Sequence, residues 1–231
     1  MVRLVGAEKN ILKVWERASG DVITEGSEWY PLARDIANDV GSLLADTLSS
    51  MVAVNSLLQD DNITLSGAGI ISALSPQVAW DRNIYNAKYL AKTLSKPSFC
   101  TGVTYTKCMN IVDLASNSLV GKEDTYKLNH NEVEIVLGKQ ALKTKAFFNN
   151  IVNPNGDNVP TIDRHAISIW LNRKATEKEL LHYGTTKGGY EHLTHCYKRV
   201  AEYLDRHYNE VQATTWIQWR IENRNKSMGD M

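Results

Sequence analysis

Asp163 and His165 lie in the segment whose residue types and position best suit electrostatic or acid–base chemistry. They follow a turn cluster at residues 153–156 and Pro160, and they directly precede apolar residues at helical spacing. Asp163 is therefore predicted at or beside the N-cap of a helix, where a carboxylate accepts the free N–H groups of the first turn. A purely structural cap is the alternative for Asp163, and a surface or packing role is the alternative for His165.

Three lysines, Lys139, Lys143 and Lys145, surround the start of another predicted helix, over residues 140–152. Exposed backbone N–H groups and the helix dipole favour an anion there, so the lysines form a candidate phosphate site. Charge supports this interpretation, since residues 82–145 hold 10 basic and 5 acidic residues in a chain with 26 of each. The alternative is a solvated helix face without a bound anion.

Residues 70–87 combine the end of a buried helix, a Ser-Pro-Gln corner and the start of a further helix. Such a corner displays Gln77 outward, and the following helix begins with the aromatic and polar residues Trp80, Arg82 and Asn83. In the alternative interpretation this is an ordinary turn between helices, in which Gln77 and Asn83 only cap backbone groups.

Helical periodicity runs through almost the whole chain. Apolar residues recur at steps of three and four over residues 80–94 and 190–204, as on one face of an α-helix. Further helices are predicted at about 8–18, 30–40, 42–58, 106–119, 140–152, 163–173 and 210–222.

Capping and breaker residues complete the predicted fold. Thr176 and Glu179 have the spacing of a capping box, and Gly184 would end the short helix that begins there. Gly67 and Gly69 are predicted to break the chain before a helix. Because no segment alternates with a period of two for long enough to form a strand, we predict an all-α fold of about nine or ten helices. One compact unit is expected, with two lobes as an alternative.

Composition restricts the class of protein. The chain has 231 residues, of which 43% are hydrophobic and 23% charged, and this excludes disordered and collagenous proteins. The longest charge-free stretch, which includes residues 63–77, is broken by Ser, Gly and Pro and so lacks the roughly 18–20 consecutive apolar residues of a membrane span, and charged residues near the N-terminus fit no signal peptide. A cytoplasmic protein is expected. Three cysteines without CxxC spacing argue against disulfides, structural zinc and iron–sulfur clusters, and no cofactor is expected.

Taken in order, these segments resemble the helix-hairpin-helix DNA glycosylases of the endonuclease III type. Residues 74–77 read Leu-Ser-Pro-Gln, like the Leu-Ser-x-Gln motif of that family, and Asn83 follows. Residues 137–138 and 143–144 read Leu-Gly and Lys-Thr, like parts of the family's hairpin. Residues 162–165 read Ile-Asp-Arg-His, like its Val-Asp-x-His motif with the catalytic aspartate.

The resemblance covers roughly residues 66–173 and includes the separation of 20 residues between Lys143 and Asp163. The second glycine of the hairpin and the four-cysteine iron–sulfur tail of the family are absent. The end of the chain, residues 210–220, looks like that of small phage proteins from a divergent branch of the same superfamily.

The resemblance implies cleavage of N-glycosidic bonds in DNA. Asp163 would stabilise the positive charge that develops on the sugar and would orient or deprotonate the nucleophile. Lys143 would attack the sugar carbon in an enzyme that also has lyase activity, with Lys145 in its place if the register is shifted.

The expected partner is DNA, either a duplex with a flipped base or a single strand, and no membrane is expected. Gln77 would fill the space that a flipped base leaves. The other residues expected to contact DNA or the base are Trp80, Arg82, Asn83, Lys139, Lys145 and His165. Two other functions stay open: a phage enzyme of the same fold that hypermodifies thymine, and a non-catalytic helical module that binds DNA or acts as an inhibitor.

Overall fold

Helices make up the regular secondary structure of the described chain. The computed structural model describes residues 3–52, 60–120 and 128–224. These ranges contain eleven helices and no β-strand, which confirms the all-α prediction. In chain order the helices are α1 (Glu8–Glu16), α2 (Gly20–Val52), α3 (Asp60–Leu74), α4 (Trp80–Thr93), α5 (Gly102–Val120), α6 (His130–Leu137), α7 (Leu142–Val152), α8 (Arg164–Leu171), α9 (Glu177–Thr185), α10 (Lys187–Leu204) and α11 (Tyr208–Arg224).

The chain divides into two units. The terminal unit comprises the described parts of Met1–Leu32 and Asn153–Met231, with α1, the start of α2, and α8 to α11. The central unit comprises the described parts of Ala33–Val152, with the rest of α2 and α3 to α7. The division falls inside residues 66–173, so Asp163 belongs to one unit and the three lysines Lys139, Lys143 and Lys145 belong to the other.

Helix α3 is the core of the central unit. Almost all of its residues are buried, and α4, α5, α6 and α7 pack against it. Gly67 and Gly69 lie inside this helix, so the prediction that they break the chain before a helix is wrong. A Cβ at Gly67 would collide with the Ala37 carbonyl of α2, and one at Gly41 would collide with the Ile63 carbonyl of α3. These glycines allow the two helices to approach closely.

Helix α2 is continuous through a position where the sequence predicts an interruption. The two predicted helices, 30–40 and 42–58, are parts of one helix that begins at Gly20 and includes both Pro31 and Gly41. The predicted residues beyond 52 lie outside the described chain. A helix-interior glycine costs only about 1 kcal/mol relative to alanine, so close packing at Gly41 is sufficient to keep the helix intact.

The terminal unit is built on the contacts of α1, α8, α10 and α11 with one another. The apolar face predicted for α10 is confirmed, since Tyr190, Leu193, Tyr197 and Ala201 are all buried. The hydroxyl of Tyr197 donates to the Ala166 carbonyl at 3.3 Å and so joins α10 to α8. The start of α8 is thus attached to a fully buried side chain.

Reciprocal caps begin two short helices. The predicted capping box is present at α9, where Thr176 and Glu179 accept from each other's backbone N–H groups. Helix α9 runs one residue beyond Gly184. Asn129 and Glu132 form a second capping box at α6, which the sequence analysis did not predict.

Candidate functional site

Asp163 is the N-cap of α8, as the sequence predicts. Its Oδ1 accepts hydrogen bonds from the backbone N–H groups of His165 and Ala166 at 2.9 and 2.8 Å. Within the described chain no group donates to the second oxygen, Oδ2, and the side chain is only partly buried. The cap therefore fixes the orientation of the carboxylate while one oxygen remains available to a ligand.

Buried hydroxyl groups fasten the segment that leads into α8. The Tyr190 hydroxyl accepts from the Ile162 N–H at 3.0 Å and donates to the Pro160 carbonyl at 3.0 Å. The Tyr30 hydroxyl lies 2.8 Å from Oγ1 of Thr161. Because Tyr190 is on α10 and Tyr30 is on α2, two helices hold consecutive residues of this segment.

The earlier part of the segment is attached to α11. The Tyr208 hydroxyl accepts from the Asn158 N–H at 2.7 Å and donates to the Gly156 carbonyl at 2.8 Å. The side-chain amide of Asn209 donates to the Pro154 carbonyl at 2.9 Å. The turn cluster predicted from the sequence is present and is tied to a helix at two points.

The tyrosines of this network stay protonated. Burial raises the pKa of Tyr190 and Tyr197 well above the ordinary tyrosine value, and the negative charge of Asp163 raises both further. Burial also raises the pKa of Tyr208 to about 12, against the opposing effect of its hydrogen bond from Asn158. Each hydroxyl therefore remains a donor at neutral pH.

Three aromatic rings and a guanidinium form a cluster beside the start of α8. The ring centroid of His165 is 6.4 Å from that of Trp216, and Trp29 contacts Trp216 edge to face at 6.0 Å. The guanidinium carbon of Arg220 lies 4.4 Å from the Trp216 ring centroid, at cation–π distance. We call these four residues the Trp216 cluster. All four are partly exposed.

The corner between α3 and α4 displays one of its two predicted polar residues. Gln77 is exposed, and its φ of 61° lies in the left-handed region. Asn83, in contrast, is 2% exposed, and its Nδ2 donates to the Ile71 carbonyl at 3.1 Å. The position of Asn83 thus favours the alternative in which it satisfies a backbone group of α3 rather than contacting a base.

Phe99 is a candidate that the sequence analysis missed. Its side chain is 90% exposed at a φ of 62°, and the guanidinium carbon of Arg82 lies 5.8 Å from its ring centroid. An exposed ring beside a cation suits stacking on a nucleobase next to a phosphate. The sequence contains a clue, because Phe99 is the lone aromatic residue in the loop of residues 94–101.

Residues 138–141 connect α6 to α7 where the resemblance predicts a hairpin. Gly138 has a φ of 116°, which side chains rarely tolerate. Lys107 of α5 donates from Nζ to the Leu137 carbonyl at 2.6 Å and fixes the end of α6. The one glycine that the connection retains is therefore required by its backbone conformation.

The three hairpin lysines differ in their surroundings. Lys139 is exposed, and Lys143 is partly buried in the first turn of α7. The Lys145 ammonium lies 3.9 Å from the Glu134 carboxylate. Among the described residues no acidic side chain pairs with Lys139 or Lys143. Lys143 is therefore the α7 lysine with the greater freedom to bind an anion or attack an electrophile.

The cysteines are poorly suited to nucleophilic chemistry. Cys100, Cys108 and Cys196 are free and buried, and burial raises the pKa of each thiol, that of Cys108 to about 12. In the part of the chain that the structure describes, no three His, Cys, Asp or Glu side chains are placed to hold a metal ion. None of the described helices combines the length and the apolar character needed to cross a membrane.

The predicted site residues divide between the two units. Asp163 and His165 are in the terminal unit, where His165 belongs to the Trp216 cluster. The central unit holds Gln77, Trp80, Arg82, Asn83, Lys139, Lys143 and Lys145. There the structure brings Arg82 to Phe99, and Trp80 to Phe147 of α7 with ring centroids 6.2 Å apart.

Fold and site define an all-helical protein with a preoriented carboxylate in one unit and an exposed aromatic and basic surface in the other. The chain belongs to the family described as family of unknown function (DUF7178), whose model matches residues 3–223. No curated protein and no solved structure matches it. The family match includes every candidate site residue.

Proposed function

We propose that the protein is a DNA base N-glycosylase. The observation that carries the proposal is the Asp163 carboxylate, which two backbone N–H groups orient and whose Oδ2 accepts no hydrogen bond within the described chain. Cleavage of an N-glycosidic bond builds positive charge on the sugar as the base departs. A carboxylate fixed in advance beside the sugar would stabilise that charge without reorganisation.

Water is the nucleophile in the simplest form of this reaction. Its oxygen bonds to C1′ of the sugar while the bond between C1′ and the base nitrogen breaks. The departing base takes the electron pair and a proton, and an abasic site remains. Asp163 would orient the water and accept its proton.

Lys143 is the residue that we assign to an additional lyase reaction. Its neutral amine would bond to C1′ as the bond between C1′ and the base breaks, and the base would leave with the electron pair and a proton. Opening of the bond between C1′ and the ring oxygen, which takes the remaining amine proton, would give a Schiff base, from which elimination of the 3′ phosphate cleaves the strand. Lys145 is the weaker candidate, because its ammonium is already near Glu134.

The surface of the central unit supports DNA as the substrate. Gln77 and Phe99 are both exposed at left-handed backbone positions, and Arg82 lies beside Phe99. Gln77 would fill the space left by a flipped base, Phe99 would stack on a neighbouring base, and Arg82 and Lys139 would contact phosphates. A cytoplasmic location follows from this proposal, since DNA is the substrate.

Mass spectrometry of DNA incubated with the protein tests the proposal. The substrate is a set of duplexes that carry deaminated, oxidised and alkylated bases, and the Asp163→Asn variant is the control. Free base with a matching abasic site, from wild type alone, is expected. A nucleoside of altered mass without free base would instead indicate a base-modifying enzyme. DNA binding with neither product would indicate a non-catalytic module.

A further inference from the structure

The Arg220 guanidinium lies against an aromatic ring, and its N–H groups make no hydrogen bond within the described chain. The group lies over Trp216 at 4.4 Å and is partly buried. In the described chain no residue accepts a hydrogen bond from it or forms an ion pair with it. A guanidinium carries five N–H donors, and those of Arg220 are not buried, so they remain available to a ligand that offers acceptor atoms.

His165 links the Trp216 cluster to the Asp163 carboxylate. His165 follows Asp163 by two residues, donates its backbone N–H to Oδ1 of that carboxylate, and places its ring 6.4 Å from Trp216. Trp29 contacts Trp216 from another helix. Partly exposed aromatic surface, free donors and an oriented carboxylate therefore occur in one contiguous set of contacts within the terminal unit.

We infer that the Trp216 cluster is a base-recognition subsite that selects bases presenting a carbonyl oxygen over bases presenting an amino group at the same ring position. This inference rests on the proposed function and deepens it, because it names the class of base that the Asp163 site takes. Trp216 supplies the aromatic surface for stacking, which is tolerant of base identity. Arg220 supplies the selection, since a guanidinium only donates hydrogen bonds and an exocyclic amino group cannot accept them.

Binding of matched nucleosides tests the selection without requiring base release. 2′-Deoxyuridine and 2′-deoxycytidine differ by a carbonyl and an amino group at one ring position and by the proton on the adjacent ring nitrogen, and so do 2′-deoxyinosine and 2′-deoxyadenosine. Saturation-transfer NMR titrations would give the affinity of each. We expect wild type to bind the carbonyl member of each pair about tenfold more tightly, and Arg220→Gln to bind both members within about twofold.

Two variants control for indirect effects. Arg206 is an exposed residue of the loop between α10 and α11, and its guanidinium pairs with Glu210. The Arg206→Gln variant should keep the wild-type preference for the carbonyl base. Arg220→Lys keeps a cation whose N–H groups only donate, so it should keep a carbonyl preference, but a smaller one than wild type because it lacks the planar pair of donors. Circular dichroism and melting temperature should match wild type for all three variants, so a lost preference reports on the donors.

Three outcomes would overturn the inference: no detectable nucleoside binding, an equal affinity for both members of each pair in wild type, or a preference that Arg220→Gln retains. A fourth outcome would also overturn it: Arg220→Gln could weaken the binding of 2′-deoxynucleoside monophosphates without changing the binding of nucleosides. Arg220 would then contact a phosphate instead of a base. Failure of the proposed function looks different. A carbonyl preference without base release from DNA would refute the glycosylase alone, and base release without the preference would refute this inference alone.

Discussion

Phe99→Gly is expected to be more stable than Phe99→Ala. The φ of 62° at this position penalises a residue with a Cβ by about 1–2 kcal/mol, and glycine avoids that penalty. The greater freedom of glycine in the unfolded chain offsets about 0.4–1 kcal/mol of the gain. Both variants lose the ring contact with Arg82, so their difference isolates the backbone. We expect about 0.5–1 kcal/mol in favour of glycine, or about 1–4 °C in melting temperature.

Thermal unfolding followed by circular dichroism measures this difference. Fluorescence anisotropy with a labelled duplex measures a second consequence on the same proteins. Because both variants lack the ring, both should bind DNA more weakly by a similar factor, about 5- to 100-fold if Phe99 stacks on a base. An alanine variant as stable as the glycine variant would refute the backbone reasoning. Wild-type DNA affinity in both variants would refute the role of the ring.

Five other substitutions test the lysines around the start of α7 and the tyrosine network. Lys139→Ala should reduce the slope of log DNA affinity against log salt concentration by about 1. Lys145→Ala should reduce that slope by less, because Lys145 already pairs with Glu134. Equal slopes for wild type and both variants would show that Lys139 does not contact DNA. Borohydride should trap a covalent DNA adduct with wild type and Lys145→Gln but not with Lys143→Gln, and the reverse pattern would make Lys145 the nucleophile. Tyr208→Phe should lower the free energy of unfolding in urea by about 1–3 kcal/mol, because the Asn158 N–H loses its acceptor, and an unchanged midpoint would contradict this. Burial raises the pKa of Tyr208 to about 12 in the folded protein, above the unfolded value of about 10. The stability that its protonated hydroxyl contributes is therefore fully present below pH about 10 and is lost as pH rises through about 12. Across that range the difference in stability between wild type and Tyr208→Phe should vanish.

Amphipathic helices could be predicted from the sequence, and helices buried on all sides could not. Residues 80–94 and 190–204 have one apolar face against a polar one, and both form helices, α4 and α10. Helix α3 is buried nearly all round, so its small residues produce no face, and Gly67 looked like a breaker instead of a packing contact. Helix α6 was not predicted because its apolar residues fall on more than one side: Val133 and Leu137 are buried, whereas Ile135 is 75% exposed.

The same distinction applies to the candidate site. The cap at Asp163 depends on residues within three positions of it, so local sequence predicts it. The Trp216 cluster joins side chains from α2, α8 and α11. Phe99 follows the C-terminal end of α4 in the sequence, and its ring lies beside Arg82 at the start of that helix. Those contacts depend on tertiary packing, so the spacing of the residues along the chain does not predict them. Asn83 shows the opposite error. It is a polar residue near a helix start that the sequence suggests for base contact, but its side-chain amide donates to the Ile71 carbonyl inside the protein.

The rate of base release by Asp163→Asn under single-turnover conditions tests the central claim most directly. Asparagine caps helices about as well as aspartate, so the substitution keeps the contacts to His165 and Ala166 and removes only the negative charge. We expect an unchanged melting temperature with base release at least about 100-fold slower than in wild type. Asp163→Ala, which also loses the cap, should in addition be less stable by about 1 kcal/mol. An Asp163→Asn protein that releases base at the wild-type rate would show that Asp163 is only a cap and would contradict its proposed role in catalysis.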